Sequence, residues 1–242
     1  MTEHIAALVA ASLAAGAVAS VTGFGIGSIL TPTLSLWIDG RIAVALVAVP
    51  HLIGTAVRFA MVSGQVDRGV LWRFGIASAA GGLIGALLQS AVGGDRLMIV
   101  FAILLLFVAI SEFSGLASRM RFTGLTAWIA GVLSGLLGGL VGNQGGIRSG
   151  ALLGFGLSRD ALVATATAIA LFVDGARLPV YVATAGSDMW AYRQEAAIAT
   201  AGVLAGTIAG ARALRSIPEP VFRKLVAVIL AVLGVSLILR PL

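Results

Sequence analysis

Apolar runs of about twenty residues follow one another along the chain, separated by short stretches that carry a few charges. This pattern predicts helices at about 5–21, 24–37, 42–63, 70–92, 97–116, 123–141, 145–157, 160–183, 191–213 and 220–240. Six of them (42–63, 70–92, 97–116, 160–183, 191–213 and 220–240) are long enough for a bilayer core of about 30 Å. The pairs 5–21/24–37 and 123–141/145–157 differ. Gly-rich sequence interrupts each pair, and a second member of 13 or 14 residues reaches only about 20 Å. No segment alternates polar and apolar residues with the period of two that barrel strands require. The predicted class is all-α: a polytopic membrane protein forming one domain over 1–242, with two broken helix pairs plus six full spans.

The broken pairs hold equivalent places in the chain. Gly142 lies 119 residues after Gly23, and the same offset sets Gly146 on Gly27 and Arg177 on Arg58. With two more residues of offset, AGGLIG (80–85) lies over AGVLAG (201–206). An internal repeat of 1–121 and 122–242 follows. Charge orients the halves. If each broken pair crossed the membrane once, the basic loop residues would divide six against seven. If each pair enters and returns, Arg68, Arg73, Arg119, Arg121, Arg159, Arg212, Arg215, Arg223 and Lys224 share one side. Only Arg41, Arg96, Arg193 and Arg240 remain on the other. The positive-inside bias selects the second arrangement, in which the repeats are inverted and both termini face outside.

Composition sharpens this reading. The 242 residues are 59% hydrophobic and 11% charged, about half the charged share of a soluble domain, and the mean hydropathy is +1.07. A net charge of +6 would suit nucleic acid. The arginines, however, fall in short loops as topology signals and form no basic face, so no nucleic-acid partner is expected. The absence of Cys excludes disulfides and thiolate metal sites, and His4 and His51 alone do not build a metal centre. The N-terminal run has Glu3 and no Lys or Arg, unlike a cleaved signal, and reads as part of the fold. No G-x-x-x-x-G-K-[ST] loop is present, so neither ATP nor another cofactor is expected.

Inverted repeats with matching broken helices are the pattern of secondary transporters, which bind substrate near the midplane between the repeats. A helix that starts inside the membrane turns unsatisfied N–H groups and a positive dipole end into the gap, and glycine lets an anion approach them. The first gap, VTGFGIGSILTP, offers Thr22, Gly23, Gly25, Gly27 and Ser28. The second, GNQGGIRSG, offers Asn143, Gln144, Gly145, Gly146, Arg148 and Ser149. Arg58, Arg148 and Arg177 are the basic residues placed well inside segments, and a guanidinium suits an oxyanion. Each feature also has a plainer explanation. Glycines at every fourth position, as at 131/135/139 and 202/206/210, serve helix packing. Asp174 and Arg177, three apart, form an i,i+3 salt bridge. His51, after Pro50, hydrogen-bonds a freed carbonyl. Asp174 and His51 are also the candidates for proton coupling. Phe24, Phe155, Phe172 and Trp37 read as core or lipid-facing, and Trp72, Trp128 and Trp190 as interfacial anchors.

The first gap, with Gly23, Gly25, Gly27, Pro32 and Leu34, and the second, with Gly135, Gly138, Gly142, Gly145 and Gly146, resemble the two Gly-rich motifs of the TauE/SafE family of sulfite and organosulfonate exporters. The resemblance spans the chain. Two departures stand in the second motif: Asn143 and Gln144 replace glycines, and Arg148 enters where a Pro often follows. The resemblance implies export of sulfite, sulfoacetate or a similar small anion across the cell inner membrane. A passive anion channel and an uptake transporter are the rival readings. An enzyme is not expected, since a nucleophile with its base, or paired central carboxylates, is lacking. The partners expected are the anion and the lipid bilayer, and the Gly stripes permit a homodimer.

Overall fold

The computed structural model describes residues 2–116, 124–142, 145, 148, 151–152, 154–213 and 219–239. The described chain is helical throughout. Helix α1 (Thr2–Thr22) leads through Gly23–Gly25 to the short α2 (Ile26–Leu34). There follow α3 (Gly40–Val62), α4 (Arg68–Gln89, with a π-helical turn at Leu71–Gly75), α5 (Gly94–Phe113) and α6 (Leu125–Val141). After Gly142, helical turns hold Gly145, Arg148, Ala151 and Leu152. The chain closes with α7 (Arg159–Ala191), α8 (Arg193–Ala213) and α9 (Glu219–Ile238). Short polar residues start the long helices. Asp39 accepts from the Arg41 and Ile42 amides, Asp67 from Val70 and Ser158 from Ala161, each satisfying an amide that lacks an intrahelical partner.

The expected segments reappear with two changes. Helix α7 continues eight residues past the expected end at 183, because a kink at Ala185 bends it without ending it. Among the described residues, five helices are long and apolar enough to cross a membrane: Glu3–Thr22, Gly40–Gln65, Arg68–Gln89, Gly94–Phe113 and Asp160–Ala191. The set therefore includes the first member of the first broken pair, which has 21 residues. It does not include two of the six expected spans: α8, whose first turn carries Arg193 and Glu195 and whose body is largely Ala, Gly and Thr, and α9, whose apolar stretch Lys224–Ile238 is shorter.

Each broken pair turns back on itself. His4, at the start of α1, makes an edge-on ring contact with Trp37 just beyond α2, so the two ends of the first pair meet. In the second pair, Gly131 of α6 and Phe155 beyond the gap both pack on Phe74 of α4. The first pair opens beside the start of α3, and the second beside the start of α4.

Helix α1 packs along α8 while α6 packs along α4, α3 packs on α8 while α7 packs on α4, and α3 meets α7 as α5 meets α9. The closest of these contacts use glycine. A Cβ at Gly16 would overlap the Val203 carbonyl and one at Gly206 the Leu13 carbonyl. In the other half, Gly135 stands against the Ser78 carbonyl and Gly81 against that of Val132. These pairs match Gly81 with Gly206 at an offset of 125 residues, one helical turn beyond the 121 that the sequence match gives. The plainer reading of the 202/206/210 stripe is therefore the one the fold uses: Gly202, Gly206 and Gly210 seat α1 at Ser12, Leu13 and Ala17.

The helices turn large apolar side chains outward and hold a few charged ones inside. Leu87, Ile103, Ile110, Leu125 and Val232 are more than half exposed, whereas Arg58, Arg148, Asp174 and Arg177 are at most 4% exposed. That inversion suits a hydrocarbon surround.

Candidate functional site

The first gap is set by glycine conformation. Gly23 (φ 79°) and Gly25 (φ 127°) take positive φ, which side chains of L-residues disfavour. The Thr22 hydroxyl lies 2.6 Å from the Phe24 carbonyl and accepts from the Phe24 amide at 3.2 Å, so it fixes this turn. Helix α2 then starts with no side-chain cap, which leaves its first amides open to a ligand. Gly142 (φ 77°) ends α6 in the left-handed region and opens the second gap.

The gaps meet. A Cβ on Gly27 would overlap the Gly142 carbonyl, and one on Gly145 would overlap Phe24. Between them lies a small cavity lined by Gly23, Phe24, Gly25, Gly27, Ser28, His51, Gly142, Gly145, Arg148 and Ala170. Its volume of about 10 Å³ holds one water molecule. His51 stands halfway along α3, which puts the cavity near the middle of the fold.

The three internal arginines divide into two roles. Arg58 donates from Nη1 to the Ala19 carbonyl (2.8 Å), from Nη2 to the Gly23 carbonyl (3.1 Å) and from Nε to the Thr167 hydroxyl (3.0 Å). Arg177 donates from Nη1 to the Gly138 carbonyl (2.6 Å), while its Nε and Nη2 hold Asp174 Oδ1 at 3.0 and 2.9 Å. Gly138 follows Ala19 by the same 119 residues that separate the arginines. Each of these two guanidiniums thus binds the last carbonyls of the helix before its own gap, at the negative end of the dipole.

Arg148 is different. Its Nη1 donates to the Ala166 carbonyl (2.9 Å), but its Nε and Nη2 have no acceptor among the described residues. A buried donor without an acceptor costs about 1–3 kcal/mol.

Among the described residues, His51 donates to no carbonyl freed by Pro50. Its Nδ1 lies 2.6 Å from Asp174 Oδ2, so Asp174 joins His51 to Arg177, an i,i+3 pair as its spacing suggests. Phe24, read as core or lipid-facing, instead lines the cavity because the Gly23–Gly25 turn carries it inward. Gly23, Gly25, Gly27, Ser28 and Gly145 line the cavity, whereas Asn143, Gln144, Gly146 and Ser149 fall outside the described residues. Sequence reasoning missed four side chains. Tyr181, whose hydroxyl donates to the Gly139 carbonyl and whose ring stands 5.9 Å from the Arg177 guanidinium, follows that arginine at i+4, a spacing that could have found it. Thr167, and the buried hydroxyls of Thr31 and Thr55, which have no partner among the described residues, carry no such signal.

This is an arrangement of open amides, a half-satisfied guanidinium and an imidazole around a glycine-lined gap. The sequence profile of the sulfite exporter TauE/SafE family matches residues 8–237. The chain belongs to that family. It is a multi-pass membrane protein of a transporter family, and its apolar helices agree with that membership. No curated protein and no solved structure matches the chain.

Proposed function

We propose that the protein is a secondary transporter that exports a small oxyanion, sulfite or an organosulfonate such as sulfoacetate, from the cytoplasm by alternating access. Family membership supports the substrate class. The observation that carries the reading is Arg148, 2% exposed, with two donors unpartnered beside the cavity between the gaps. Open amides at the start of α2 and the glycines of both gaps complete the ligand set. Asn143, Gln144 and Ser149 supply further donors from the second gap, and Arg58 and Arg177 hold the helix ends that shape it. An interior-negative potential drives each exported negative charge by about 2.3 kcal/mol per 100 mV.

The halves act as inverted repeats. Their helix pairings exchange when the halves exchange, Arg58 and Arg177 bind equivalent carbonyls, and the broken pairs open beside opposite ends of α3. With the basic loops inside, both termini face outside. A cavity that holds one water is closed to an anion of several heavy atoms, so Gly27 and Gly142 must part for substrate to enter.

Thermal unfolding of the purified protein with sulfite, sulfoacetate, sulfate and phosphate tests this. At 100 times Kd a bound anion adds about 2.7 kcal/mol. Arg148→Ala is expected to abolish that stabilisation and the matching flux in proteoliposomes, while Arg148→Lys keeps part of it. Indifference of the unaltered protein to every anion would overturn the reading.

A further inference from the structure

His51 is the side chain on the cavity wall able to gain or lose a proton near neutrality. Asp174 holds its Nδ1, and its other ring nitrogen, Nε2, has no hydrogen-bond partner among the described residues. The charged groups around it are Asp174 and Arg177 on α7, Arg148 across the cavity and Arg58 two turns along its own helix. Helix α2 has no titratable residue, and those of α8 lie in its end turns.

Three guanidiniums and one carboxylate around the cavity carry a net charge of +2. A dianion in the cavity cancels that charge. We propose that His51 Nε2 takes up one proton when the anion binds, so that anion and proton cross together. This rests on the anion-transport reading above. The step balances: one proton leaves the cytoplasm on Nε2 with each dianion and is released outside when the anion departs. Linkage makes the effect mutual, since a proton on His51 tightens anion binding by the factor by which the anion tightens proton binding. The imidazole also reaches the second gap through Asp174 and Arg177, whose Nη1 holds the Gly138 carbonyl. Occupancy of the cavity is thereby tied to the end of α6.

The test titrates the full-length protein with sulfoacetate in weakly buffered solution. The carboxylate of this probe stays ionised from about pH 6 to about pH 8. Uptake of about one proton per sulfoacetate is expected, with affinity rising by up to about tenfold per unit fall in pH. His51→Gln is expected to take up no proton per anion bound, whatever its affinity. Sulfoacetate binding to the unaltered protein with no proton uptake would overturn the proposal and leave anion binding standing, as would undiminished uptake by His51→Gln. No response of the unaltered protein to sulfoacetate or sulfite would overturn both.

Discussion

Arg177 and Arg148 are both buried arginines in an apolar protein, yet they should answer mutation in opposite ways. Arg177 is bound to Asp174 and to the Gly138 carbonyl, so its removal strands a buried carboxylate and a helix end. Breaking such a pair from one side costs about 3–5 kcal/mol. Arg177→Met is therefore expected to lower the midpoint of thermal unfolding sharply. The double variant Arg177→Met/Asp174→Leu, which removes both charges, should recover part of the loss. Among the described residues Arg148 makes one hydrogen bond from three nitrogens, so its truncation should cost little stability and nearly all anion binding. Equal destabilisation of the two single variants would contradict this division of roles.

Glycine serves the helices in two ways that composition does not separate. At Gly206 it lets α8 sit on the Leu13 carbonyl of α1, and at Gly27 it lets the first gap touch the Gly142 carbonyl of the second. A methyl group is too large for either place. Gly206→Ala is expected to destabilise by about 1–3 kcal/mol through overpacking, with sulfite affinity unchanged once the protein is folded. Gly27→Ala should separate the gaps, and its mark is loss of anion-induced stabilisation beyond any fall in basal stability. Thermal unfolding with and without sulfite distinguishes the two.

For the whole molecule, the absence of Cys makes single cysteines clean reporters of topology. Gly64 and Gly93 flank α4, and a Cβ at either meets open space. With inverted repeats and basic loops inside, Gly93→Cys should react with a membrane-impermeant maleimide on intact cells. Gly64→Cys should react only after permeabilisation. The reverse labelling would invert the assignment of sides.

The positions of the helices, the two gaps and the matched arginines were legible in the chain, because hydropathy and glycine act locally and report within a turn or two of where they stand. The match of α4 to α8 differs by one turn between the sequence, which sets Gly81 on Gly202, and the contacts, which set it on Gly206. Gly, Ala and Leu recur too regularly there to fix a register, and only the facing backbone chooses between Gly202 and Gly206 as the mate of Gly81. The fate of each buried donor was also beyond the sequence. Nothing near His51 announces Asp174, 123 residues away, and of three arginines of one chemistry two came to hold helix ends while Arg148 kept donors without acceptors among the described residues. Hydrogen-bond partners in a membrane interior depend on which helices become neighbours and at what height. Packing settles that after the spans are set.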